Sequence, residues 1–385
     1  MSRTPQLQSR LPQVGTTIFT VMSALAAEHG AINLGQGFPD FGADERLLRL
    51  LGEAALAGHN QYPPMTGLPA LRQAIASKTN ALYGSNYDAD RDITVTAGGT
   101  QSLYTSLQAC VGAGDEVLIL EPSYDSYEPS IRAAGAVAIG VPMTGEYRID
   151  WDRVRAAITP RTRALVINTP HNPSGRIATH EDMLTLQALA EQHDLFVVSD
   201  EVYEHMVYDG ARHHSVAAYP ALAARSFLCG SFGKTFHVTG WKIGYVAAPP
   251  KLTAAFRAFH QFTVFTVFSP AQHALAAYLA DPAPWQGLSS FYQAKRDRFR
   301  TALAATPLKL LPCEGTYFQT VDYSAVSDAP EADFARWLTT KVGVAAIPLS
   351  VFYQQPLERR HVRFCFAKKD ETLATAIERL QAVLR

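Results

Sequence analysis

Cysteine is scarce in this chain of 385 residues, and the four present (Cys110, Cys229, Cys313 and Cys365) lie far apart with no CxxC pair. That spacing argues against a disulfide framework or a zinc site and for reduced thiols in a cytoplasmic protein. An excess of one charge is missing too. With 34 basic residues against 35 acidic ones, nothing draws the chain to nucleic acid or to an anionic membrane. No uninterrupted apolar run is long enough to span a bilayer, and the opening Met1-Ser2-Arg3-Thr4-Pro5-Gln6 lacks the apolar core of a signal peptide. The histidines are scattered, His213-His214 reads as a polar loop pair, and no metal site is expected. Internal repeats, low-complexity tracts and a separate linker are absent as well.

What remains is the composition of an ordinary folded enzyme, 47% apolar and 18% charged. The length suits two domains, or one large domain with an appendage. From about residue 90 to 250, short β-rich runs alternate with helical patterns. Ile93 to Thr96, Glu116 to Leu120, Ala136 to Val141, Ala164 to Asn168, Phe196 to Ser199, Phe227 to Cys229 and Ile243 to Ala247 are the expected strands. Gln101 to Val111 and Asp182 to His193 have helical spacing between them. This alternation predicts an α/β fold, a mainly parallel seven-stranded sheet between helices, whose ligands bind beyond the carboxyl ends of the strands. After about Phe291, helical patterns (Tyr292 to Leu303, Thr372 to Leu384) frame β-like pieces and read as a smaller α+β domain. The expected division is 1–43 as a segment packing with the small domain, 44–285 as the large domain and 286–385 as the small one.

Polar groups gather just after the predicted strands. Ala97-Gly98-Gly99-Thr100-Gln101 opens a helix, where free N–H groups and the helix dipole seat a phosphate; an ordinary cap with Thr100 as capping residue is the alternative. Tyr124, in Glu121-Pro122-Ser123-Tyr124, can stack on a flat ring or be one more core tyrosine. Asn172 sits in Thr169-Pro170-His171-Asn172-Pro173-Ser174-Gly175, a tightly fixed turn that either presents its carboxamide as a donor or is simply rigid. Asp200 ends an apolar strand, where a carboxylate needs a cationic partner such as a pyridinium, or else caps a following helix. Tyr203 then lies one helical turn on and can face the same ligand. Ser231-Phe232-Gly233-Lys234-Thr235-Phe236 puts a lysine in a small-residue turn between apolar runs. Desolvation lowers the pKa of such an amine and suits it to a Schiff base with a carbonyl or with pyridoxal phosphate. Ser231 and Lys242 suit a phosphate.

In order and spacing these segments resemble the class I/II, fold-type I aminotransferases. The likeness runs from Asn33-Leu34-Gly35-Gln36-Gly37-Phe38-Pro39-Asp40-Phe41 to Val362-Arg363-Phe364-Cys365-Phe366. It is most similar to the bacterial methionine aminotransferases, then to the kynurenine/glutamine transaminases. Asn60-Gln61-Tyr62-Pro63-Pro64-Met65-Thr66-Gly67, Cys313-Glu314-Gly315-Thr316-Tyr317-Phe318 and Ala346-Ile347-Pro348-Leu349-Ser350-Val351-Phe352 carry that narrower likeness. The resemblance implies pyridoxal 5'-phosphate held as a Schiff base on Lys234, with Asp200 on the ring nitrogen. It implies Asn172 and Tyr203 on the ring hydroxyl and Tyr124 stacked on the ring. Gly99, Thr100, Gln101, Ser231 and Lys242 would hold the phosphate; Lys242 stands where some relatives carry arginine. Tyr62 would reach the phosphate of the neighbouring subunit in a homodimer with shared sites. Arg363, which alone reads as a surface charge on a strand, would clamp the substrate carboxylate with help from the backbone near Gly37.

The activity so implied moves an amino group from an amino acid to a 2-oxo acid by a ping-pong mechanism. Between Arg257 and Pro270, Phe262, Phe265 and Phe268 occur with no arginine after Arg257, so the expected pocket takes apolar or aromatic side chains, methionine first. Those phenylalanines read alternatively as core. A C–S β-lyase on the same scaffold is the nearest rival, separated by whether cystathionine gives pyruvate and ammonia without an oxo-acid acceptor. A cofactor-binding regulator fused to a DNA-binding module is a rival of another class, disfavoured by the lack of a basic excess.

Overall fold

The computed structural model describes residues 9, 11, 14–355 and 357–384; the opening Met1 to Gln6 lies outside them. In chain order the first strands are β1 (Ile32–Asn33), β2 (Ile93–Thr96), β3 (Glu116–Glu121), β4 (Val137–Pro142), β5 (Thr162–Asn168), β6 (Phe196–Asp200), β7 (Ser226–Ser231) and β8 (Gly244–Ala247). Strands β2 to β8 make one seven-stranded sheet in the order β2-β8-β7-β6-β5-β3-β4. Its pairings are parallel except the two made by β8.

Successive residues of a strand face opposite sides of a sheet, and here both sides are apolar. Val117 and Ile119 of β3, Val166 of β5 and Val198 of β6 pack with Leu103, Leu107 and Phe227 in one cluster. Their neighbours Leu118, Leu120, Leu165, Ile167 and Val197 pack with Leu71, Ile75 and Leu186 in another. Element ends shift from the sequence expectation for local reasons. The helix expected from Gln101 runs Gly98–Cys110, because the Gln101 side chain reaches back to accept the Ala97 N–H at 2.9 Å. The helix expected from Asp182 runs His180–Gln192, because Thr179 and Asp182 form a reciprocal capping box.

Later strands are β9 (Lys309–Leu310), β10 (Phe318–Asp322), β11 (Val344–Ala345), β12 (Ile347–Pro348) and β13 (His361–Cys365). Four of them form an antiparallel sheet in the order β12-β13-β10-β9, while β11 pairs in parallel with β1. A third cluster joins Met22 and Leu34 from the early chain to Phe299, Phe334 and Phe364, and takes in Tyr203 and Met206 from the segment after β6. The two sheets therefore meet where β6 ends.

A buried ion pair sits under that junction. Lys78, on helix Pro69–Tyr83, lies 2.5 Å from Glu204, and both side chains are almost wholly buried. Tyr83 and Tyr245 donate to the same carboxylate at 2.6 and 2.9 Å. Burial opposes the charge on Glu204, but Lys78, His205 and the hydrogen bonds outweigh it and hold the carboxyl well below its usual range. Breaking a buried pair from one side leaves an uncompensated charge. Lys78→Met is expected to lower the unfolding free energy of the cofactor-free protein by about 3–5 kcal/mol. Adding Glu204→Gln should recover part of that loss, as urea unfolding at pH 7 will measure.

Candidate active site

The carboxyl ends of β3, β5, β6 and β7 deliver Tyr124, Asn172, Asp200 and Ser231 to one cavity of about 240 Å³. Gly99 and Thr100, at the start of helix Gly98–Cys110, form part of its wall together with Lys242. Thr100 is not the capping residue: it lies inside the helix, whose N-cap position is Ala97. Gly98 has φ +77°, and a Cβ there would stand 3.3 Å from Lys242 Nζ. Lys242 is itself left-handed at φ +54°, a conformation that costs a non-glycine residue about 1–2 kcal/mol. Amine and helix N-terminus are thereby brought together, as an anion seat requires.

Lys234 follows β7 directly on the four-residue helix Phe232–Thr235. Its Nζ donates to the Gly37 carbonyl at 3.2 Å and lies 5.9 Å from the Tyr203 ring and 6.0 Å from the Tyr317 ring. Burial pulls its pKa down from the usual 10.5 to about 8, against a smaller opposite pull from groups that include Asp200. Burial also lifts Asp200, to about 6, although Tyr127 donates to its Oδ2 at 2.6 Å and the Val202 N–H to its Oδ1 at 3.3 Å. No helix follows β6, so Asp200 does not cap one; residues 202–205 form turns, and Tyr203 reaches the cavity through them. Asn168 braces this edge by donating to the Asp200 carbonyl at 2.9 Å and accepting the Asn172 N–H at 2.7 Å.

Arg363 comes from the other sheet, on β13, and is 1% exposed, so it is no surface charge. Its Nη1 donates to Asn172 Oδ1 at 2.6 Å and its Nη2 to the Gly35 carbonyl at 3.0 Å, while Nε has no partner among the described residues. The guanidinium stands 3.8 Å from the Phe318 ring centroid, with Phe19 and Phe352 at 5.4 and 5.8 Å. Its direct partners are all neutral. Gly37 approaches so closely that a Cβ would meet Phe318 Cζ at 2.9 Å, and its carbonyl also accepts the Tyr317 hydroxyl at 2.6 Å.

Not every expected residue is gathered. The Gln101 side chain is spent on Ala97, Thr105 and His260 and does not line the cavity. Tyr62 is 81% exposed and packs edge-on against Phe265 at 5.4 Å. Phe262, Phe265 and Phe268 neither line the cavity of their own chain nor join a core: they are 87%, 41% and 54% exposed. The pocket reading of that stretch therefore fails within one chain: Phe262, at the end of helix Pro250–Thr263, and Phe265 and Phe268, in the connection that follows it, turn to solvent. Conversely, Phe19, Tyr127 and Tyr317 were missed as site-forming residues. Only Tyr317 lay within a noted segment, Gly315-Thr316-Tyr317-Phe318.

The family described as aminotransferase class I and II matches residues 29–380. The chain belongs to that family. This aminotransferase is 50% identical over 376 residues to methionine aminotransferase of Escherichia coli K12, covering 97% of each chain. It is 34% identical to human kynurenine–oxoglutarate transaminase 1, covering 98% of each. A crystal structure of the Escherichia coli protein YbdL, whose reactivity identifies a methionine aminotransferase function, superposes with a TM-score of 0.97 at 49% identity, covering 99% of this chain and 100% of that one.

Membership implies pyridoxal 5'-phosphate, and the residues of the cavity fit it. The aminotransferase offers a desolvated amine for a carbonyl carbon and a buried carboxylate for a ring nitrogen. A helix start with Lys242 and Ser231 suits the phosphate, and a glycine, Gly99, stands where a Cβ would press on Val202 at 3.0 Å.

The lowered pKa of Lys234 has a thermodynamic consequence. Below pH 8 the folded state holds a charge in the cavity that the unfolded chain holds in water, so the penalty is fully present; it fades as pH rises from 8 to 10.5. Lys234→Met is expected to stabilise the cofactor-free aminotransferase at pH 7 by about 1–3 kcal/mol, with the gain vanishing towards pH 10.5. Urea unfolding across that range checks this, and a gain independent of pH would contradict it.

Proposed function

We propose that this aminotransferase carries the amino group of methionine, or of another apolar or aromatic amino acid, to a 2-oxo acid in two half-reactions. The observation that carries the reading is Arg363, buried among Phe19, Phe318 and Phe352 with its Nε unpartnered. A planar guanidinium with free N–H capacity matches an α-carboxylate. The rings beside it suit an apolar side chain, and among the described residues of this chain no second arginine lines the cavity for a distal carboxylate. The relative at 50% identity, a methionine aminotransferase, supports the same preference.

In this reading Lys234 Nζ would hold pyridoxal 5'-phosphate covalently at its carbonyl carbon. Asp200 would hold a proton at the ring nitrogen, Asn172 and Tyr203 would serve the ring hydroxyl, and Tyr124 would stack on the ring. Gly99, Thr100, Ser231 and Lys242 would hold the phosphate, with Gln101 beside them in the same helix turn. When bound, the cofactor accepts the electron pair released at the substrate Cα. Arg363 and the backbone at Gly37 fix the substrate carboxylate. Lys234 Nζ would serve as the base that moves the proton at the substrate Cα, and its depressed pKa suits a base working near neutrality.

The reading includes a homodimer in which Tyr62 of the partner subunit completes the phosphate site. The exposed aromatic surface of Tyr62, Phe262, Phe265 and Phe268 supports it. It also divides the chain at 1–43, 44–285 and 286–385, supported by the β1–β11 pairing and by the third cluster's mixing of early and late residues. A cytoplasmic setting is supported by four unpaired cysteines, three of them buried.

Methionine added to the purified holoenzyme is expected to convert the cofactor absorbance to that of its amine form in a single half-reaction, and a 2-oxo acid to restore it. Aspartate outpacing methionine in a donor panel would overturn the side-chain preference. Lys234→Ala should abolish turnover, and Arg363→Lys should lower kcat/KM for methionine by about 100-fold through loss of the forked contact.

A further inference from the structure

We infer that Tyr127 is a positioning residue for transamination: its hydroxyl fixes the Asp200 carboxylate by one oxygen and leaves the other for the ring nitrogen of the cofactor. The inference rests on the reading of Asp200 as the partner of that nitrogen. Tyr127 is the first residue of helix Tyr127–Ala133 and is 3% exposed, packed with Ile119, Ile131 and Val166 on one face of the large sheet. Its hydroxyl donates to Asp200 Oδ2 at 2.6 Å. Oδ1 has only the long contact from the Val202 N–H, at 3.3 Å, and keeps acceptor capacity. The Tyr127 ring also meets Tyr124 edge-on, centroids 5.7 Å apart at 81°. One helix start therefore sets both the ring that would stack on the cofactor and the carboxylate that would hold its proton.

A buried phenol with a partner can be no more than a satisfied core tyrosine, so the surroundings of Asp200 matter. From its own segment Glu201 faces it and opposes its charge; from the segment after β7 Lys234 favours it. Tyr124, Tyr203 and Cys229 also lie within electrostatic reach, each neutral as an acid. Among the described residues, Tyr127 is the side chain that hydrogen-bonds this carboxylate. A donor to the charged form favours that form, and here it acts against burial. Tyr127 thus keeps Asp200 a carboxylate without adding a competing cation, which would repel a protonated ring nitrogen.

The test compares Tyr127→Phe, Asp200→Asn and Tyr147→Phe holoenzymes with wild type. The readouts are bound-cofactor absorbance against pH, the dissociation constant of pyridoxal 5'-phosphate, and kcat and KM for methionine. Tyr147 is the control, a buried phenol 2.5 Å from His361 Nδ1 that does not line the cavity. Tyr127→Phe is expected to move the absorbance titration towards the Asp200→Asn profile, by about one pH unit. It should lower kcat about tenfold and leave KM within about twofold, while Tyr147→Phe stays at wild type. Replacing Tyr127 by 3-fluorotyrosine, a stronger donor of the same shape, should move the titration the opposite way, and this arm decides the matter if the phenylalanine variant does not fold. Tyr127 variants that match wild type while Asp200→Asn shifts the profile would overturn the inference alone. An Asp200→Asn profile that matches wild type would overturn the reading of Asp200 on which it rests.

Discussion

Taking water away from cations governs this site. Lys234 and Arg363 line the same cavity, each losing hydration that water would supply, and burial depresses both. Neither is compensated by a bonded carboxylate: Lys234 donates to a carbonyl, and Arg363 to a carbonyl and a carboxamide. Such an arrangement is costly for the protein alone, since a buried charge requires a counter-charge or strong acceptors. It becomes favourable when anions enter, and an amino acid carboxylate and a phosphate are anions. The destabilised ground state and the affinity for these ligands are one electrostatic fact.

The fold sustains this by rigidity at the strand ends. Five parallel-paired β-strands packed on both faces leave little freedom where β5, β6 and β7 stop. Asn168 then links the Asn172 loop to the Asp200 carbonyl, so two cavity groups share one brace. The segment after Asp200 is held twice more, by Tyr127 at its start and by Lys78, Tyr83 and Tyr245 at Glu204. Between those anchors the chain has no room for a regular helix, which explains why Tyr203 reaches the cavity from a turn.

Sequence made some of this legible and hid the rest for definable reasons. Lys234 and Asn172 stood out as polar residues beside glycine or proline soon after an apolar run, and Asp200 as a carboxylate ending one, patterns local enough to read. Arg363 was legible only through family likeness, since its burial depends on Phe19, Phe318 and Phe352 converging from distant segments. Tyr127 carried no signal, because its partner lies 73 residues away and a tyrosine opening a helix is unremarked in any periodicity. Phe262, Phe265 and Phe268 misled for the opposite reason. Aromatic density marks burial on average, but whether a helix end and the connection after it meet the rest of the chain is a tertiary fact.

The origins of the cavity groups separate chemistry from recognition. Asp200, Asn172, Tyr124 and Lys234 stand on the large sheet, whereas Arg363 stands on β13 and Gly37 follows β1, both in the part of the chain that shares the third cluster. In the proposed reading, most groups that handle the cofactor are thus carried by the large sheet, and those that grip the substrate carboxylate by segments of the third cluster. Only a few contacts cross between them inside the cavity, among them Arg363 to Asn172 and Lys234 to Gly37. Both contacts involve atoms that the proposed reaction needs, so substrate carboxylate and cofactor must compete with them when they bind. In that reading the protein spans its own site with the bonds that its ligands would replace, which ties the large sheet to the segments of the third cluster.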